Sequence, residues 1–131
     1  MIMNQRSDVY YEAGLELLSK QLYSQSIACF YYSVLQKMLY SLTVSPKRPM
    51  EYEDQNPLDE DIHERTLIDI ISRLNRYKDV EKMKDYFRNK MLPLRKKADY
   101  EPDRCSLEEC VNCREWCESL RRLLDERFKV A

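Results

Sequence analysis

Apolar residues return every three or four positions along most of this chain, the spacing that lines one face of an α-helix. The first such stretch runs from about Ser7 to Lys20, with Tyr10, Ala13, Leu17 and Leu18 in phase. A second follows the connection Gln21 to Tyr23, with Ser24 or Ser26 placed to cap it. In it Ala28, Tyr31, Tyr32, Leu35, Met38, Leu39 and Leu42 form a broad stripe ending near Thr43. So short a connection predicts an antiparallel hairpin. The pattern stops between Val44 and Asp61, where Pro46, Pro49 and Pro57 lie among charges, so a long flexible loop is expected over about residues 44–60. Asp61 and Glu64 then resemble a capping box for a third helix carrying Leu67, Ile70, Ile71 and Leu74. A fourth starts near Asp79 and buries Val80, Met83, Tyr86 or Phe87, and Met91. Pro93 lacks a backbone donor and is expected to kink or end it just before Leu94. Ser106 and Glu109 make the clearest capping box, opening a last helix to about Phe128. Its inward face is expected to hold Leu107, Cys110, Cys113, Cys117, Leu120, Leu124 and Phe128.

Composition narrows the fold further. Glycine occurs once, at Gly14, so the tight turns and bulges of an antiparallel sheet have almost nothing to be made from. A length of 131 residues suits one core, and the whole chain, 1–131, reads as a single all-α domain. Residues Met1 to Tyr10 lack the apolar segment of a secretory signal, and no uncharged apolar run approaches a bilayer span; a cytoplasmic location without membrane contact is expected. The formal charge is −1, yet residues 73–97 carry ten bases against three acids, so one edge is expected to attract anions.

Four of the five cysteines, Cys105, Cys110, Cys113 and Cys117, fall within thirteen residues. A zinc site needs its sulfurs to converge on one ion, whereas a straight helix spreads Cys110 and Cys117 about 10 Å along its axis. Their place on the apolar face favours packing as small hydrophobes, and no metal or cofactor is expected. The lone histidine, His63, falls in the first turn of the third helix beside Asp61 and Glu64, where an exposed surface residue is expected. Any reaction needing an imidazole at neutral pH must use it. No phosphate-loop, nucleophile-elbow or zincin pattern occurs.

The segment Leu92-Pro93-Leu94-Arg95-Lys96-Lys97-Ala98-Asp99-Tyr100-Glu101-Pro102 follows the basic run. Together with Tyr11 to Leu42, which reads YxAGLxLLxxxxYxxSIACxYYxxLxxMxYSL, it resembles the HEPN domain family, in its small prokaryotic branch with an Arg-x-x-Ala-Asp-Tyr signature. The resemblance spans the whole chain and implies a four- to five-helix up-and-down bundle. It further implies a homodimer joined through the motif faces, and a toxin–antitoxin-type system in which a nucleotidyltransferase is the partner. Relatives with RNase activity use an arginine and a nearby histidine on the scissile phosphate, without metal. Here four residues follow Arg95 and then Tyr100 stands where that histidine would be. A phenol of pKa about 10 donates a hydrogen bond at neutral pH but is a poor base.

The expected protein is therefore a non-catalytic or weakly active RNA-linked member. Arg95, Lys96 and Lys97 would contact phosphate, Asp99 would orient Arg95, and Tyr100 would donate a hydrogen bond. The candidates for any residual cleavage are Arg95, Tyr100 and His63. Alternative readings are a helical protein–protein module without nucleic-acid binding, and a metal enzyme centred on His63 and the cysteines.

Overall fold

The computed structural model describes residues 2–51 and 62–129, for Ile2 and Met3 the backbone alone. Most of the predicted loop, and Asp61 of the predicted third cap, lie outside the described residues. Among those described, all regular structure is helical: α1 (Ile2–Ser19), α2 (Tyr23–Val44), α3 (Ile62–Ile71), α4 (residues 77–100) and α5 (Leu107–Arg127). The all-α bundle expected from periodicity is what forms. None of these helices is long and apolar enough to cross a membrane.

The α1–α2 hairpin turns through Gln21, whose φ of 61° supplies the left-handed residue that closes many helices. The Leu22 N–H donates to Leu17 O and the Gln21 N–H to Leu18 O, the paired bonds of a Schellman turn. Small residues then set how the two helices meet. Ser7 bonds Ser33, and Ser26 Oγ donates to Gly14 O at 2.6 Å, so positions near the start of one helix face the end of the other. This rotates α1 from the predicted stripe: Ser7 and Gly14 are buried, with Tyr11, Leu15 and Leu18 packing on the core, while Tyr10 turns aside to Tyr32. A hydropathy pattern scores size and greasiness, whereas here close backbone approach decides the face. Ser26 is likewise spent on Gly14 rather than on a cap, and Leu22, at the capping position before α2, makes no side-chain cap bond.

α2 is the axis of the molecule. It packs against α1, α3, the end of α4 and α5, and Ile27, Phe30, Tyr31, Val34 and Met38 are fully buried, so it is apolar on more sides than one stripe. α5 covers it with Cys110, Cys113, Cys117, Leu120 and Leu124, all at zero exposure. Its capping box is complete, Ser106 Oγ accepting from the Glu109 N–H and Glu109 accepting from the Ser106 N–H. The one departure from the predicted face is Leu107, which is 53 % exposed in the first turn.

Pro93 neither ends α4 nor stops it before Leu94. The helix passes from Tyr77–Met83 through a π-helical stretch, Lys84–Met91, into Leu92–Tyr100. In the π-stretch the Leu92 N–H reaches back five residues to Phe87 O. Widening the turn just ahead of proline makes room for its ring and lets the chain keep winding. It also keeps Met83, Phe87 and Met91 inward: a spacing of four drifts forward around an α-helix, and the wider turn offsets the drift.

Candidate functional site

Arg95 lies in the last segment of α4 and turns toward α2. Its guanidinium carbon is 5.1 Å from the Tyr31 ring centroid and 5.8 Å from that of Tyr32, and Nη1 donates to Tyr32 Oη at 2.9 Å. Asp99, one turn on, stands 3.9 Å from Nη1, so Tyr32 makes the shorter contact. The Arg95 side chain is only 19 % exposed, and its Nε is buried with no hydrogen-bond partner among the described residues. A guanidinium in this state has lost most of its water without regaining a full set of acceptors, which costs free energy that an incoming oxyanion would restore.

His63 shares the same aromatic wall. Its Nδ1 and Tyr31 Oη are hydrogen-bonded at 2.6 Å, and its ring lies 5.5 Å from the Tyr31 ring, nearly parallel. Phe87 stacks on Tyr31 at 4.8 Å, and the Tyr32 ring stands edge-on to His63. Burial, with the nearby Arg95 charge adding to it, lowers the His63 pKa, so the imidazole is neutral at pH 7. Burial also holds the Tyr31 phenol well above its ordinary range, the Arg95 charge opposing in part, so this hydroxyl stays protonated. Beside them Arg88 pairs with Glu64, tying α4 to the turn of α3 that carries His63. His63 is thus a partly buried member of a polar cluster and not the exposed residue that its neighbours in sequence suggested.

The histidine makes stability pH-dependent in a definite direction. Because the folded pKa lies below the unfolded value of 6.5, the unfolded chain takes up the proton first. Stability is full above about pH 6.5 and falls as the pH drops through that value toward the lower folded pKa. The urea midpoint is therefore expected to fall between pH 8 and pH 5, and to fall less in His63→Gln. Identical pH profiles for the two proteins would remove His63 from the buried cluster.

The other motif residues disperse. On an α-helix Arg95 and Lys97 are roughly 200° apart. Lys97 faces α5, where it bonds Glu109 at 2.8 Å; that bond raises the lysine pKa and lowers the glutamate's. Lys96 is exposed, and Tyr100 is 84 % exposed with neither touching the Tyr31–His63 cluster through a described bond. The basic run therefore divides. Arg88 and Arg95 look toward α2 and α3, whereas Lys82 and Lys90 lie over Tyr86, and Lys90 also over Trp116, on the α5 side.

The cysteines are elsewhere, under α5. Cys113 Sγ lies 3.9 Å from Ile27 O, and burial raises the thiol pKa values of Cys110, Cys113 and Cys117. Among the described residues no three of His, Cys, Asp and Glu are grouped to hold a metal ion. Sequence reasoning missed the site's walls, Tyr31, Tyr32 and Phe87. A usable signal was there: two adjacent hydroxylated rings on the core-facing stripe of the second helix call for polar partners.

These features define the class of molecule: an all-α bundle with an arginine–tyrosine–histidine cluster between its second, third and fourth helices. Compared with family models, curated proteins and solved structures, the chain finds no match.

Proposed function

We propose that this protein is a HEPN-like, RNA-binding member of a toxin–antitoxin-type system, non-catalytic or weakly active. It would act in the cytoplasm as a homodimer, with a nucleotidyltransferase as partner. The observation that carries the reading is Arg95: a guanidinium laid over two tyrosine rings, largely buried, with one nitrogen unpartnered among the described residues. That is a seat for an oxyanion, and the phosphate of RNA is the oxyanion that the motif resemblance favours. A neutral imidazole against the same rings supplies a group able to take a proton, which leaves room for slow cleavage by His63. Lys96, exposed on the same segment, adds charge for the backbone, and the exposed Tyr100 offers a hydrogen-bond donor at the dimer groove, while Lys97, held toward α5 by Glu109, takes no part in the Arg95 seat.

Gel retardation and cleavage of total RNA and of a mixed-sequence single-stranded oligonucleotide, by the protein and by Arg95→Ala, test this. Binding by the variant is expected to weaken, with the slope of log K against log salt smaller by about one. A slope unchanged in Arg95→Ala would take Arg95 out of the site. Absence of both binding and cleavage in the parent protein would leave the protein–protein module as the better reading.

A further inference from the structure

The geometry points to a stacking platform for single-stranded RNA on the α4–α5 face of the bundle: unpaired bases lie on Tyr86 and Trp116, and the phosphates beside them pair with Lys82 and Lys90. The choice of RNA as ligand rests on the RNA-binding reading of Arg95; the surface is separate from that seat and shares no residue with it.

α4 and α5 run antiparallel. Lys97 bonds Glu109 at one end of the seam, the Tyr86 and Trp116 rings meet in the middle with centroids 6.4 Å apart, and Asp79 pairs with Arg127 at the other end. A groove follows this seam. One end is a cavity of about 270 Å³ walled by Lys90, Pro93, Leu94 and Trp116, and the other end is bordered by Lys82, Ser119 and Arg122. From Lys82 to Pro93 the helix rises roughly 15 Å, the reach of a few nucleotides.

Both rings on the seam carry an ammonium group. Lys82 Nζ lies 5.7 Å and Lys90 Nζ 5.2 Å from the Tyr86 centroid, and Lys90 Nζ is 5.5 Å from that of Trp116. The two rings are half-buried, so the protein anchors them, whereas the lysines over them are point charges on flexible stems that move aside easily. Lys90 also meets Asp85 at 3.2 Å, but these side chains are 41 % and 51 % exposed, and a surface pair of that kind holds a lysine only weakly. Lys82 has no carboxylate partner among the described residues.

A nucleotide answers both halves of this arrangement. Its base takes the ring face, whatever the sequence, because every base has a π-face, and the ammonium displaced from the ring meets the phosphate that arrives with it. A cation–π contact is exchanged for a stack and a charge pair. An acidic peptide would meet the ammonium groups and leave the rings, and a proline-rich peptide would meet the rings and leave the ammonium groups without counter-charge. A duplex keeps its bases inside and cannot offer them.

Trp116 is the only tryptophan, so its emission reports on this face alone. The protein is titrated with a short mixed-sequence single-stranded RNA, an abasic strand of equal length, the duplex and oligoglutamate, reading emission and gel retardation in parallel. The single strand is expected to quench Trp116, and the other three, which offer no free base, to leave the emission nearly unchanged. Tyr86→Leu removes one ring and keeps the reporter, and is expected to weaken the binding read by the quench at least about fivefold, the low end for one stacked base. Lys82→Gln with Lys90→Gln is expected to lower the slope of log K against log salt by about 1.4, two phosphates on a single strand, and its surface changes serve should Tyr86→Leu fail to fold. In Arg95→Ala the quench is expected to persist. Equal quenching by the abasic strand or by oligoglutamate would overturn the platform, the latter giving this face to an acidic protein. Parent-like quenching by the lysine variant, with an unchanged salt slope, or a quench abolished by Arg95→Ala, would overturn it too. Retardation that depends on Arg95 while the emission stays constant would overturn the platform and leave the Arg95 seat standing. No binding of any strand would sink the platform and the RNA reading together.

Discussion

Replacing Phe87 by alanine is expected to cost about 3–5 kcal/mol of stability, a large share of the 5–15 kcal/mol typical of a domain. The ring is 2 % exposed and stacks on Tyr31 at 4.8 Å with an interplanar angle of 15°. It sits in the π-helical stretch of α4, where it fills the space between that helix and α2. Truncation leaves a cavity that the surroundings cannot close, because Tyr31 is held on its other side by His63. Urea denaturation gives the loss directly, and a value below about 1 kcal/mol would mean that Phe87 is not a core residue. Phe87→Leu is expected to be milder, within about 1.5 kcal/mol, since most of the volume remains. It is the more informative variant for function. With the stacking partner of Tyr31 gone and the fold retained, the ring beneath Arg95 loses its backing, and the oxyanion binding proposed for Arg95 is expected to weaken before stability does.

Gly14→Val is expected to be the second severe change, and Gly14→Ala to show why. On a solvent-facing helix, glycine to alanine gains about 1 kcal/mol. Here a β-carbon at Gly14 would meet Phe30 Cε1 at 2.6 Å and Cδ1 at 2.7 Å. Phe30 is fully buried, so its ring cannot swing clear without moving other core residues. The helix-propensity gain is therefore overtaken by overpacking, and Gly14→Ala is expected to lose about 1–3 kcal/mol. Valine adds two methyl groups at the same point and loses more. Thermal melts of Gly14→Ala alone and with Phe30→Leu form the test: the second change should recover part of the loss, because it trims the ring that the β-carbon meets. A melting temperature for Gly14→Ala at or above that of the parent would show that α1 and α2 are not in such close contact.

Both positions bear on how much was legible beforehand. Gly14 stood out in composition as the only glycine, but as evidence against strands; that it is the contact point of a helix pair depends on Phe30, sixteen residues away. Phe87 was one of two candidates for a buried position with Tyr86, and an α-helical period could not choose between them. The π-turn chooses, since it alters the angle between successive residues. The same turn lets the helix continue past Pro93, which local rules treat as a stop.

Two members of the candidate site, Arg95 and His63, were visible in the sequence, but not that they share one aromatic wall. Arg95 drew attention through its motif and the basic run, but its neighbours there, Lys96, Lys97 and Tyr100, lie on other sides of α4 or out in solvent, and Lys97 is engaged by Glu109. Its companions in space come from far away in the chain: Tyr32 is 63 residues back, and His63 comes from a third helix.

By itself the sequence determined the all-α class, the positions of most helices, the capping box at Ser106 and the burial of the cysteines, because each depends on propensity, period or a bond between near neighbours. Tertiary structure alone decided which face of α1 is buried, how α4 passes its proline, and that Arg95, Tyr31, Tyr32 and His63 stand together. Those outcomes depend on the rotation of one helix against another, which is set by the shapes that meet there, such as a glycine under a phenylalanine ring, and a hydropathy pattern carries no record of which shapes will meet.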